Sequence, residues 1–188
     1  MLGNSPIILP ARAGTGITNP GDQGMTGWSF DPANVSAGSA TTSGVLYLVK
    51  LIIPRNDIVN KLYWYLTNSA VTPVTGQNEV GLMDPAGNRL AATNVDASLT
   101  PAGLKVITLA DTAVGGGFIW AALLFNATTP PSLARGTSIS SGSLTNAGLS
   151  PAAYRFAING AGRTSIPASI VPGSNALHDF ALWCGVGK

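Results

Sequence analysis

Residues 78–94 read as two short strands joined by Asp84-Pro85-Ala86-Gly87. This pattern of brief apolar runs cut by Gly, Pro and Asn constrains the fold more than any other feature of the chain. Pro85 presets φ near about −65° at the second turn position, and Gly87 can take a positive φ without steric cost. The same grammar continues from Val45 onward. Val45–Ile53 is almost continuously apolar and β-branched, which predicts a central strand covered on both faces. Ile58–Thr67 alternates instead: Ile58, Asn60, Leu62, Trp64 and Leu66 share one face, and Val59, Lys61, Tyr63 and Tyr65 the other.

Leu104–Leu109, Phe118–Phe125, Tyr154–Asn159 and His178–Val186 bring the set to about eight strands, separated by turn signals at even spacing. The stretches 126–131, 132–151 and 167–175 read as loops, the first because Pro130 and Pro131 cannot donate to a central ladder. No apolar period of about 3.6 residues persists anywhere, and no internal repeat is present. The expected fold is therefore all-β: an antiparallel β-sandwich, jelly-roll-like because of its long excursions, spanning residues 44–188. Its core is expected to contain Leu48, Leu62, Trp64, Leu82, Ile107, Trp120, Leu123, Phe156 and Leu182.

Residues 1–43 differ. They are rich in Gly, Pro, Asn, Ser and Thr, and their apolar groups are isolated at Ile7-Ile8-Leu9, Ile17, Met25, Trp28 and Phe30. Ordering such a stretch costs about 1–2 kcal/mol per residue in backbone entropy, so something must hold it. The expectation is an extended N-terminal arm over 1–43. Ile7, Ile8, Leu9, Trp28 and Phe30 would be its contacts to a neighbouring subunit, each buried aliphatic contributing about 1.5–3 kcal/mol.

Charge supports an assembling protein. Only 10% of the 188 residues are charged and 45% are hydrophobic, which opposes disorder and suits a surface largely buried against neighbours. The net charge of +2 comes from scattered Lys and Arg, so no nucleic-acid partner is expected. The N-terminus lacks the pattern of a secretory signal, and no run reaches the ~18 apolar residues of a membrane span. No membrane partner is expected, and synthesis in a cytoplasm without an address is.

The residues that chemistry usually requires are sparse. There is one glutamate, Glu79, beside seven aspartates, and a single His178 and a single Cys184. These cannot make a three-ligand zinc site from His and Cys. Adjacent residues on a strand face opposite ways, so Asp179 is poorly placed to orient His178, which reads as an exposed residue opening the last strand. Cys184, in an apolar strand, reads as a small buried hydrophobe. Gly14-Thr15-Gly16 and Gly160-Ala161-Gly162 complete no phosphate-binding motif. No enzymatic activity, metal or cofactor is expected. Tyr63 and Tyr65, on the outward face of their strand, suit a subunit interface; stacking on a glycan ring is the alternative.

Several segments carry a resemblance: Gly81-Leu82-Met83-Asp84-Pro85-Ala86-Gly87-Asn88-Arg89-Leu90-Ala91, Pro101-Ala102-Gly103-Leu104, the Gly-Phe-Ile-Trp-Ala-Ala-Leu-Leu strand at 117–124, Tyr154-Arg155-Phe156-Ala157 and Ile166-Pro167-Ala168-Ser169. Over roughly 44–186 the chain resembles β-sandwich virion surface proteins of tailed bacteriophages, particularly those infecting actinobacteria. The resemblance implies a non-enzymatic structural component of a virion, either capsid decoration or a minor tail or collar protein, assembled in the host cytoplasm. It implies major capsid or tail proteins as partners and a homo-oligomer, with a trimer favoured by analogy. It supplies no catalytic residues. A lectin-like or receptor-binding module that takes a host-surface glycan is the competing function. The chain departs from long tail fibres in lacking a collagen-like tract and a heptad coiled coil.

Overall fold

A computed structural model describes residues 19–136 and 141–188. Two six-stranded sheets pack face to face. The first has the order β1 (Met25–Trp28), β14 (Cys184–Gly187), β4 (Asp57–Asn68), β11 (Ser132–Gly136) and β2 (Val35–Ala40), with β8 (Gly103–Val114) along the opposite edge of β4. The second runs β13 (Ala176–Leu177), β12 (Phe156–Ile158), β3 (Leu46–Ile53), β9 (Gly117–Leu124), β6 (Glu79–Met83) and β7 (Arg89–Asn94). A small ribbon pairs β5 (Val71–Pro73) with β10 (Ala127–Thr129). Every pairing is antiparallel, and the chain crosses between the sheets at most of its connections. The only α-helical segment among the described residues is a single turn, Gly142–Thr145. The all-β antiparallel sandwich expected from strand spacing is the architecture observed.

The periodicities predict most of the layers, but the start of β4 is inverted. A register shift between Val59 and Lys61 turns Val59 into the core and leaves Ile58 52% exposed, the opposite of the expected faces. Leu62, Trp64 and Leu66 of β4 are fully buried between the sheets, against Val49, Leu51, Val80, Leu82 and Leu123 of the second sheet. The continuous apolar runs of β3 and β9 reflect burial on both faces. Their other side chains, Leu46, Leu48, Trp120, Ala122 and Leu124, form a second cluster outside the second sheet, sealed by Ile166 and Ile170 of the 159–175 loop. Two expected core residues, Leu48 and Trp120, thus lie in this outer cluster. Ile107 is only half-buried, because β8 is an edge strand at the margin of the core. The 84–87 turn forms as its residues dictate: Gly87 has φ 90°, its N–H donates to the Asp84 carbonyl, and the Asp84 carboxylate accepts the Asn88 N–H at 2.8 Å.

The expected arm needs correction. The boundary at residue 43/44 does not hold, since β1 pairs with β14 and β2 with β11 inside the first sheet. The Gly- and Ser-rich composition of Val35–Ala40 is a packing requirement. Gly38 lies so close to the Thr67 side chain that a Cβ would collide with it. Likewise a Cβ on Gly27 would stand 2.6 Å from the Ile52 carbonyl oxygen, which joins β1 to the second sheet. Of the expected arm, Ile7, Ile8 and Leu9 lie outside the described residues.

Two loop expectations and one strand expectation also change. Residues 132–136 are β11, in the centre of the first sheet, and 127–129 form β10. The final strand is shorter than 178–186, because only Cys184–Gly187 keeps a continuous ladder with β4.

Candidate docking site on the outer face of the first sheet

The two sheets differ on their outer faces. The second sheet's outer face is roofed by its own loop. Ile166 is buried there, its N–H donating to a Glu79 carboxylate oxygen at 2.6 Å and its carbonyl accepting from the Arg89 guanidinium. Trp120 below it donates its indole N–H to the Tyr154 carbonyl at 3.1 Å. The first sheet is covered beside Trp183 and Ala134, but along β4 and β8 its outer side chains stay exposed. Along β4 and β8, Tyr63 stands opposite Val106 and Tyr65 opposite Leu104, so all four side chains project outward together. Tyr65, Leu104 and Val106 are 44%, 55% and 46% exposed.

Beside this ladder is a cleft of about 360 Å³. Its wall is made by Met25 of β1, Tyr65 of β4, Leu104 of β8, Ala134 of β11, Val35 of β2 and Trp183, with Gln23 and Pro32 at its margin. Alternation places Trp183 there. Leu182, Cys184 and Val186 point into the core, so Trp183, Gly185 and Gly187 face outward. Gly185 leaves room for the Met25 side chain, whose sulfur lies 2.8 Å from where a Cβ would sit. Trp183 is anchored by its backbone N–H to the Ala134 carbonyl at 2.9 Å and is 4% exposed. Its indole Nε1 is buried with no hydrogen-bond acceptor. The Trp64 Nε1 in the core is buried without an acceptor as well, so this feature is not peculiar to the cleft.

The residues singled out from sequence are distributed unevenly. Tyr65 lines the cleft, and Tyr63 is half-buried on the same face over Gly187. Trp28 pairs with Gly185 in the sheet and is half-buried, while Phe30 packs against the domain's own core and beside Gly136. Neither projects from the domain as part of a separate arm. Sequence reasoning missed Trp183, Leu104 and Met25. The signal was present in the alternation of Leu104 and Val106 with Lys105 and Ile107, and in the Gly185 and Gly187 that share Trp183's face.

His178, Asp179, Cys184 and Lys50 make contacts within the domain. His178 is half-buried rather than exposed, its ring in edge contact with Tyr47 at 5.1 Å and Phe180 at 5.8 Å, with Nδ1 2.9 Å from the Phe180 carbonyl oxygen. Burial lowers its pKa, outweighing the opposing pull of the Phe180 carbonyl and Asp179. The Asp179 carboxylate accepts the Gly142 N–H at 3.0 Å instead of orienting the imidazole. Cys184 is fully buried, and desolvation pushes its thiol far above the usual range. Lys50 donates to the Ala153 carbonyl at 3.0 Å and lies over the Phe118 ring; desolvation, then Arg155, lowers its pKa. Among the described residues no group of three His, Cys, Asp or Glu could hold a metal ion, and no helix is long and apolar enough to cross a membrane.

No protein-family model matches the chain, and no curated protein matches it.

Proposed function

We propose that this chain is a non-enzymatic structural subunit on the surface of a tailed-phage particle. It would be held there by the outer face of its first sheet together with its N-terminal segment. The observation that carries the reading is the uncovered ladder of Tyr65, Leu104 and Val106 beside an apolar cleft. Contiguous exposed apolar surface of this kind marks an interaction site, and aromatic residues are enriched where such sites bury. The resemblance of the segments at 81–91, 101–104 and 117–124 to phage surface proteins is what supports a particle as the setting. The glycan-binding alternative is less favoured by the same face. A sugar platform needs polar groups around its aromatic ring, whereas Tyr65 is flanked by Leu104 and Met25.

The test is quantitative mass spectrometry of purified particles of the phage that encodes the chain. The reading requires the protein in particles at a fixed stoichiometry: hundreds of copies for shell decoration, a few for a tail position. Its absence from particles, with normal expression in the infected cell, would refute the proposal.

A further inference from the structure

We infer that Asn159-Gly160 is a latent self-modification site, held unreacted by the closed 159–175 loop and converted to aspartate or isoaspartate when that loop opens. It is the one Asn-Gly pair in the chain. The reaction needs only water. The Gly160 backbone nitrogen attacks the Asn159 Cγ, a new C–N bond closes a cyclic imide, and the Cγ–Nδ2 bond breaks. Nδ2 leaves as ammonia, taking up the proton lost from the Gly160 N–H. Water then opens the imide at either carbonyl, giving aspartate or a backbone routed through the side chain. Glycine is the favourable follower because no Cβ obstructs the approach.

The fold leaves the nucleophile free and ties down the amide. The Gly160 N–H donates to no group among the described residues. Asn159 is 5% exposed; its Oδ1 accepts from Arg163 Nη2 at 2.9 Å, and its Nδ2 donates to Asn175 Oδ1 at 2.8 Å and to the Val171 carbonyl at 3.4 Å. Arg163 Nε also donates to the Asn159 carbonyl at 2.8 Å, and its Nη2 lies 3.0 Å from where a Cβ on Gly160 would stand. For Cγ to swing onto the Gly160 nitrogen, the side-chain bonds must break together.

Every partner in that lock belongs to the loop itself. Over 159–175 only Ile166 and Ile170 are buried apolar anchors, and the middle is latched to the second sheet by Glu79 and Arg89 on the Ile166 peptide. Gly160 and Gly162, with φ 77° and 66°, form the turn at its root. A segment with so few buried contacts opens locally far more often than the whole domain unfolds, and the reaction rate follows the open fraction. Conversion then blocks reclosure. A carboxylate has no N–H, so it would meet the Asn175 Oδ1 and the Val171 carbonyl with no proton between the oxygens. Asn175 cannot turn its amide to compensate without abandoning the Pro151 carbonyl. A reversible opening thus becomes permanent and leaves Trp120 and its neighbours uncovered.

Peptide mapping by mass spectrometry, on the full chain incubated in mildly alkaline buffer, tests this. In urea Asn159 should convert faster than any other asparagine. In the folded chain it should convert at least about tenfold more slowly, since only the open fraction reacts. Glu79→Ala removes a latch and Arg163→Ala removes the guanidinium on Oδ1, so each should raise the folded-state rate several-fold while the circular dichroism spectrum stays that of the wild type. If Arg163→Ala does not fold, Glu79→Ala decides alone. The converted chain, separated by its added negative charge, should be cut by protease within 159–175 about tenfold faster than the unconverted one. Asn159 left intact in urea, equal folded and unfolded rates, or a Glu79→Ala rate no higher than wild type overturns the inference. So does a slower reaction in folded Arg163→Ala, which would make the guanidinium an activator of the amide instead of its lock. A converted chain that keeps wild-type protease resistance overturns the permanent opening.

Discussion

Truncating Trp120 to alanine should cost the domain about 3–4 kcal/mol. The side chain has no exposed surface, stacks edge-on against Phe118 at 5.0 Å and lies between the second sheet and its covering loop. Aromatic-to-alanine changes in cores cost about 3–5 kcal/mol through lost transfer energy and the cavity left behind. Two features pull the value toward the lower end. The loop carrying Ile166 and Ile170 can settle partly into the space, whereas a sheet could not. The Tyr154 carbonyl that loses its indole donor belongs to a half-buried residue that water can reach. Trp120→Phe separates the two contributions: it keeps most of the ring and removes the hydrogen bond, for about 0.5–1.5 kcal/mol plus a small packing loss. Urea unfolding with unchanged m-value would read both changes as midpoint shifts. For a chain of this length the alanine variant should melt about 10 °C lower. A loss below about 1 kcal/mol would refute the claim that the outer cluster is a second core.

Asn146 tests the turn before β12. Its side-chain amide donates to the Gly142 and Phe156 carbonyls and its oxygen accepts from the Arg155 and Phe156 N–H groups, so Asn146→Ala should cost about 2–4 kcal/mol in chemical unfolding. Glu79→Ala should cost about 1–2 kcal/mol and release the 159–175 loop, read as faster proteolysis confined to that loop, since the Ile166 N–H loses its carboxylate acceptor. His178 should make stability pH-dependent. Its folded pKa lies below its unfolded value of 6.5, so the unfolded chain binds more protons, and stability is full above about pH 6.5 and falls as pH drops toward the folded pKa. His178→Gln should flatten the thermal midpoint across that window, and an unchanged slope would contradict the burial argument.

The strands that pack large side chains were legible in the sequence because alternation is a local property. From Leu62 to Leu66 the alternation is that of β4, though the shift at Val59/Lys61 reverses Ile58 and Val59; Val45–Ile53 is apolar but for Lys50, and most of β3 is buried on both faces. The Asp84-Pro85-Ala86-Gly87 turn was equally local, since its dihedral angles follow from Pro and Gly alone. The tertiary structure decided what depends on close approach between distant segments. β2 and β11 are made of Val35-Ser36-Ala37-Gly38-Ser39-Ala40 and Ser132-Leu133-Ala134-Arg135-Gly136, compositions that read as loops. They are strands because β2 passes over Thr67 where only glycine fits, a constraint set by a residue 29 positions away. The same reason hid the docking cleft. Met25, Tyr65 and Leu104 lie on three different strands and Trp183 just before a fourth, and what each does alone, filling an apolar position, carries no sign of the others. Sequence separates inward from outward along one strand. Which outward faces meet, and which of them the chain roofs with its own loop, is settled only when the sheets are assembled.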